Sequence, residues 1–155
     1  CASYLAMESS GRSVLLSDYG RGQAMLLPVL ADGRLGEVAS AHQHEGSGPN
    51  VERQEGPHAH CIVPSPDERF AFAADLGSDR VFGYRLDLDH LELVPHSGLA
   101  LQPGSGPRHL VFAPDGRRAY LVCELDSTVV ALAYDPEAGE LETLQTCPML
   151  PAGFD

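Results

Sequence analysis

Pro66-Asp67-Glu68-Arg69-Phe70-Ala71-Phe72 returns 48 residues later as Pro114-Asp115-Gly116-Arg117-Arg118-Ala119-Tyr120. Ser10-Gly11-Arg12-Ser13-Val14-Leu15 is a fainter, earlier copy. Each turn leads into an apolar run and then an acidic residue in a polar loop. Those loops are Asp18-Tyr19-Gly20, Asp75-Leu76-Gly77 and Glu124-Leu125-Asp126. A second apolar run, a turn such as Asp32-Gly33 or Ala138-Gly139, and a weaker strand complete each copy. Four strands repeated at a period of roughly 50 residues make a blade of a β-propeller. The spacing predicts an all-β chain with three four-stranded antiparallel blades, at about 1–48, 49–104 and 105–150. Residues 151–155 are expected to lead into a further blade.

The rest of the chain agrees. Sixteen Gly and twelve Pro break it into apolar runs too short for helices, such as His60–Val63, Phe70–Ala74 and Ala119–Cys123. Val129–Tyr134 is apolar on both sides, which predicts a strand buried on both faces. A length of 155 residues allows one domain. No apolar stretch approaches the roughly 20 residues needed to span a bilayer. The chain opens on Cys1 rather than Met, which leaves location open; with no signal-peptide pattern, the cytoplasm is the default expectation.

Charge excludes whole classes of partner. All ten basic residues are Arg, against 22 acidic ones, for a net charge of -12. That field repels nucleic acid and anionic lipid. The absence of Lys removes Schiff-base and Walker-lysine chemistry. An anionic substrate would need a few Arg to hold it locally. Cys1, Cys61, Cys123 and Cys147 are widely spaced with no C-x-x-C, and read as free thiols of a reducing compartment.

Topology turns this pattern into a site. Successive loops of an antiparallel meander alternate between its two faces. The start of the first strand and the end of the second therefore share one mouth of the propeller channel. Gly56-Pro57-His58-Ala59-His60, Asp75, Gly106-Pro107-Arg108-His109 and Glu124 occupy those positions. His58-x-His60 and His42-x-His44 have a spacing that permits metal ligation. Neither pair has a matching carboxylate or Cys set beside it, and His42 and His44 read as surface-loop residues. The loop Gly104-Ser105-Gly106-Pro107-Arg108, like Gly46-Ser47-Gly48-Pro49-Asn50, is a tight turn whose N–H groups could form an anion nest. Arg108 offers a planar fork for a carboxylate or phosphate. Partial burial is expected to raise the Glu124 pKa towards general-acid use. The same pair also reads as an ion pair stapling two strands. Asp67, Glu68, Arg69, Asp115, Gly116 and Arg117 read as turn chemistry on the far face.

The stretches Arg53–His60, Asp75–Val81, Pro103–His109, Phe112–Gly116 and Glu124–Val129 resemble the lactonase family of seven-bladed propellers. Its members include propeller-type 6-phosphogluconolactonases and 3-carboxy-cis,cis-muconate lactonizing enzymes. The resemblance covers essentially the whole chain. It implies a metal-independent, cofactor-free enzyme acting on a small anionic lactone or its open acid, with no nucleic-acid or membrane partner. The family's proposed His, Arg and Glu fall on His60, Arg108 and Glu124, with His58, His109 and Asp75 expected to contact substrate. A further family Arg belongs to a later blade, beyond this chain. Hydrolysis of 6-phosphogluconolactone in the pentose phosphate pathway is the leading expectation. Carboxymuconate cyclisation and a non-catalytic binding platform remain alternatives. With the other blades absent, the chain alone is expected to be inactive and self-associating.

Overall fold

The computed structural model describes residues 1–151 and 153. Among them are twelve strands and no helix. β1 (Ala2–Met7), β2 (Ser13–Asp18), β3 (Gln23–Pro28) and β4 (Ser40–Gln43) form one sheet. β5 (Ala59–Pro64), β6 (Phe70–Asp75), β7 (Arg80–Asp87) and β8 (Glu92–Ala100) form the second. β9 (Pro107–Phe112), β10 (Arg118–Cys123), β11 (Thr128–Asp135) and β12 (Glu140–Pro148) form the third. Every pairing is antiparallel between chain neighbours. The expected lead at 151–155 falls largely outside the described residues.

The repeat is written into the backbone as well as the side chains. Each hairpin carries one residue in the left-handed region at the equivalent place. Gly11, Glu68 and Gly116 have φ of 70°, 55° and 65° in the first turn of each blade. Gly22, Asp79 and Ser127 follow with 62°, 53° and 53° in the second. Non-glycine residues accept this conformation at a modest cost. At Asp79 the side chain compensates, because its carboxylate caps the next blade's entry loop, as described below.

Two cores join the three blades. Leu15, Ala24 and Leu26 of the first blade pack against Ile62, Ala71, Ala73 and Tyr84 of the second. The opposite face of the second blade sends Phe72, Ala74 and Val81 against Leu110, Leu121, Leu132 and Tyr134 of the third. Phe72, Phe112 and Tyr134 meet as a triangle of rings with centroids 5.1–5.8 Å apart. The period-2 alternation of a strand puts odd and even residues on opposite faces, so β6 is buried along its whole length. β11 differs from expectation. Val130, Leu132 and Tyr134 are buried, whereas Val129, Ala131 and Ala133 are only half-buried. Among the described residues, only one face of the third blade has a neighbour. The uncovered side leaves Val111 and Tyr120 61% and 42% exposed.

Candidate active site at the channel mouth

The inner strands β1, β5 and β9 stand side by side, with β5 touching both others. Each has a bulge at its start. Register slips between Ala2 and Tyr4, between Ala59 and Cys61, and between Pro107 and His109 opposite β10. The extra residues are Ser3, His60 and Arg108. A bulge re-aims a side chain out of the regular alternation, and here it turns three repeat-equivalent residues towards one mouth. Ser3 is used up in structure, its hydroxyl donating to Ala59 O at 2.9 Å. His60 and Arg108 meet.

Arg108 Nε–H donates to His60 Nε2 at 3.1 Å and lies 2.9 Å from Glu124 Oε2. An N–H donor needs a lone pair, so the His60 ring proton sits on Nδ1. That atom is buried without a partner among the described residues. Burial, then the charges of Arg108 and His109, lower the His60 pKa. Burial and Arg108 lower that of His109 as well. The two rings meet edge-on, 5.0 Å between centroids.

Glu124 departs from expectation. Burial raises its pKa, but the bond from Arg53 and the charges of Arg53 and Arg108 outweigh it and hold the carboxyl low. Arg53 Nη2 reaches Glu124 Oε1 at 2.7 Å. Glu124 is therefore a carboxylate bridging two guanidiniums, with a pKa lowered where the sequence led to the expectation of a raised one. Arg53, 71 residues away in sequence, is the partner that the reading of the blade alone could not supply.

Asp75 also departs. It is fully buried and does not face the mouth. Its Oδ1 accepts from His58 N at 2.9 Å and Ser78 N at 3.0 Å, and its Oδ2 from His44 Nδ1 at 2.6 Å. Asp75 opposes Ala59 in the same way that Cys123 opposes Pro107, so its repeat-equivalent is Cys123. Glu124 is instead equivalent to Leu76 and Tyr19, whose amides bond His58 O and Cys1 O as Glu124 N bonds Gly106 O. One residue of slip in a strand exchanges its faces. That slip separates a buried carboxylate from one at the mouth.

Correct alignment of the repeats brings in Tyr19. Its ring stacks on His58, 4.4 Å between centroids, and meets His60 edge-on at 5.7 Å. Glu124 and the Tyr19 phenol together raise the Arg53 pKa. His58 lines the wall, mostly buried, with Nδ1 3.0 Å from Tyr19 O and Nε2 3.2 Å from Glu55.

His44 is no surface residue. It is 2% exposed, stacked on Phe82 at 3.9 Å, with Nδ1 on Asp75 and Nε2 2.8 Å from the Tyr84 hydroxyl. Both nitrogens are committed, which leaves none for a metal. His42 sits beside it, tilted against Tyr84 at 5.2 Å. The Gly-rich loop does form an anion nest, but the anion is internal. Asp79 accepts from Gly104 N at 2.6 Å and Gly106 N at 2.8 Å. Those glycines have φ of 87° and 64°, a conformation that favours glycine. The nest fixes the start of β9, and with it Arg108.

The fold has known relatives. Residues 2–155 match the family model "Lactonase, 7-bladed beta-propeller". The chain is 37% identical over 152 residues to the 6-phosphogluconolactonase of Bacillus subtilis, covering 97% of this chain and 42% of that protein. It is 33% identical to the 6-phosphogluconolactonase of Pectobacterium carotovorum, covering 98% and 43%. A solved structure of a Lactobacillus plantarum protein superposes with a TM-score of 0.93 at 36% identity, covering 99% and 44%. The periplasmic gluconolactonase PpgL of Pseudomonas aeruginosa superposes at 0.88 with 37% identity, again covering 99% and 44%. The chain thus spans less than half the length of these relatives. No helix among the described residues is long and apolar enough to cross a membrane. A three-blade meander with its bulges at one mouth, matched over its whole length by that model, belongs to the lactonase family of seven-bladed β-propellers.

Proposed function

We propose that this chain carries part of the active site of a lactonase that opens an anionic sugar-acid lactone, 6-phosphogluconolactone, to its hydroxy acid. The observation that supports this reading is the contact between Arg108 and the lone pair of a neutral His60 at the propeller mouth. A neutral imidazole with a lowered pKa is a base ready at neutral pH. When the Arg108 N–H turns from His60 to the lactone carbonyl oxygen, the freed lone pair of His60 Nε2 takes a proton from water as the water oxygen bonds to the carbonyl carbon. The carbonyl oxygen becomes an oxyanion, which Arg108 stabilises through the N–H groups of its guanidinium. The tetrahedral centre then collapses, the ring C–O bond breaks, and the proton on His60 passes to the leaving alkoxide. Water and lactone are consumed, and one hydroxy acid is formed. Glu124 holds both guanidiniums in place and stays ionised throughout.

The relatives named as 6-phosphogluconolactonases favour this substrate over carboxymuconate. Four unpaired thiols suit a reducing compartment, and the cytoplasm is the location we propose. The exposed apolar residues of the third blade, such as Val111 and Tyr120, are where a further blade would pack.

A direct assay decides between chemistries. The protein, expressed with every blade its gene encodes, is given 6-phosphogluconolactone and carboxymuconate in parallel. Acid release from the first and inertness towards the second are expected. The reverse pattern would replace hydrolysis by cyclisation, and inertness towards both would leave a binding platform.

A further inference from the structure

Arg53 lies outside the meander, in the loop that enters the second blade, yet the fold holds that loop as firmly as a strand. Asn50 O accepts from Arg53 N at 3.1 Å and from Gln54 N at 2.7 Å. Asn50 Oδ1 accepts from Glu52 N and Arg53 N, each at 3.2 Å. Gln54 is fully buried. Its Nε2 donates to Leu76 O at 2.9 Å and its Oε1 accepts from Asn50 N at 3.2 Å. The backbone on both sides of Arg53 is thus anchored, while the Arg53 side chain remains 42% exposed.

Two guanidiniums share one carboxylate at the mouth. Glu124 presents Oε1 to Arg53 and Oε2 to Arg108. The single negative charge of Glu124 thus faces two cations, while the other carboxylate of this wall, Glu55, lies 3.2 Å from His58 Nε2. A staple would not need the second Arg, because the Arg108–Glu124 pair already joins the strands. Exposed pairs of this kind stabilise a fold by only about 0–1 kcal/mol. Arg53 has five N–H donors in a fork that suits phosphate, and Glu124 engages it through Nη2 alone. Arg108 is committed through Nε to His60 and Glu124. The two cations therefore stand on opposite oxygens of one carboxylate, with only Arg108 touching the base.

We propose that Arg53 is a specificity-determining residue, which binds the phosphate at the far end of a phosphorylated lactone while Arg108 and His60 act at the carbonyl. This assignment rests on the lactonase reading above. Glu124 sets the spacing between the two anion-binding points. A lactone without phosphate would use the Arg108 point alone.

The test pairs two substrates, 6-phosphogluconolactone and glucono-δ-lactone, in the protein expressed with every blade. Loss of a charge-assisted contact of about 1.5–3 kcal/mol should make Arg53→Ala raise KM for the phosphorylated lactone about 10- to 100-fold. The rise for glucono-δ-lactone should be at least tenfold smaller, and Arg53→Lys should recover part of the loss as a point charge. Calorimetric titration with 6-phosphogluconate should show the same ordering of wild type, Lys and Ala variants. Equal loss on both lactones, a loss confined to kcat, or no loss would overturn the assignment of Arg53 alone. A wild-type protein inert towards both lactones would overturn the lactonase reading instead.

Discussion

His60 and His44 are both histidines set beside carboxylates, and their surroundings give them opposite roles. His44 is enclosed, and each of its nitrogens has a partner within 2.8 Å. Its carboxylate, Asp75, accepts two backbone N–H groups as well. His60 has one nitrogen engaged by a half-exposed arginine and the other without a partner among the described residues. A closed network of satisfied groups fixes structure. An open one, with an unpartnered nitrogen and part-exposed guanidiniums, suits the role in lactone opening that we propose for it. The first network ties β4 of one blade to β6 and β7 of the next. The second gathers residues of two blades and the loop between them around the mouth.

The largest difference should appear in stability. Asp75→Ala leaves His44 and the His58 and Ser78 N–H groups without their acceptor, and should cost about 3–5 kcal/mol in urea unfolding. Glu124→Ala removes a part-exposed carboxylate and should cost no more than about 1 kcal/mol. Equal costs would erase the distinction between the networks. Catalysis should respond the other way. Arg108→Ala should lower kcat on 6-phosphogluconolactone about 10²- to 10³-fold while unfolding close to the wild-type midpoint. A smaller change follows for Tyr84→Phe. It deletes one hydrogen bond to His44, worth about 1 kcal/mol of stability, and should leave kcat/KM within about twofold. A tenfold loss of activity there would show that the two networks are coupled.

Acid should affect the two sites in different pH ranges. Burial raises the Asp75 carboxyl, but the bond and charge of His44 and the N–H groups of His58 and Ser78 hold it below its unfolded value of 3.8. Its contribution to stability is present above pH 3.8 and is lost as pH falls through the lower folded value. His60 is held below its unfolded value of 6.5, chiefly by burial. Activity that needs its lone pair should therefore fall along an acidic limb centred below pH 6.5. A limb centred above 6.5 would contradict the environment described for His60.

The blades were legible because turn chemistry is local. Pro-Asp-x-Arg turns and short apolar runs specify hairpins without reference to distant residues. The mouth was legible too, since loop alternation needs only the order of strands. His60, Arg108 and Glu124 do converge there. What escaped the sequence depends on register or on long-range partners. Asp75 and Glu124 look equivalent as the acidic residue after each second strand, but hydrogen-bond register offsets them by one residue. Aligning the repeats by register would have found Tyr19. Nothing local shows that His44 is covered by Phe82 and Tyr84, or that Arg53 crosses 71 residues to reach Glu124. The ionisation of Glu124 follows from that second contact. The double-sided burial expected at Val129–Tyr134 is realised instead at β6, which has a blade on each side.

The role of His60 as the base admits one decisive measurement. Hydrolysis of 6-phosphogluconolactone is followed by acid release at pH 7 in the wild-type protein and in His60→Gln, each expressed with every blade. The side-chain amide keeps an acceptor for Arg108 but cannot take the proton. The account predicts wild-type turnover and a loss of about 10²-fold or more in kcat for His60→Gln, with unchanged folding by circular dichroism. Wild-type kcat in a folded His60→Gln protein would contradict it.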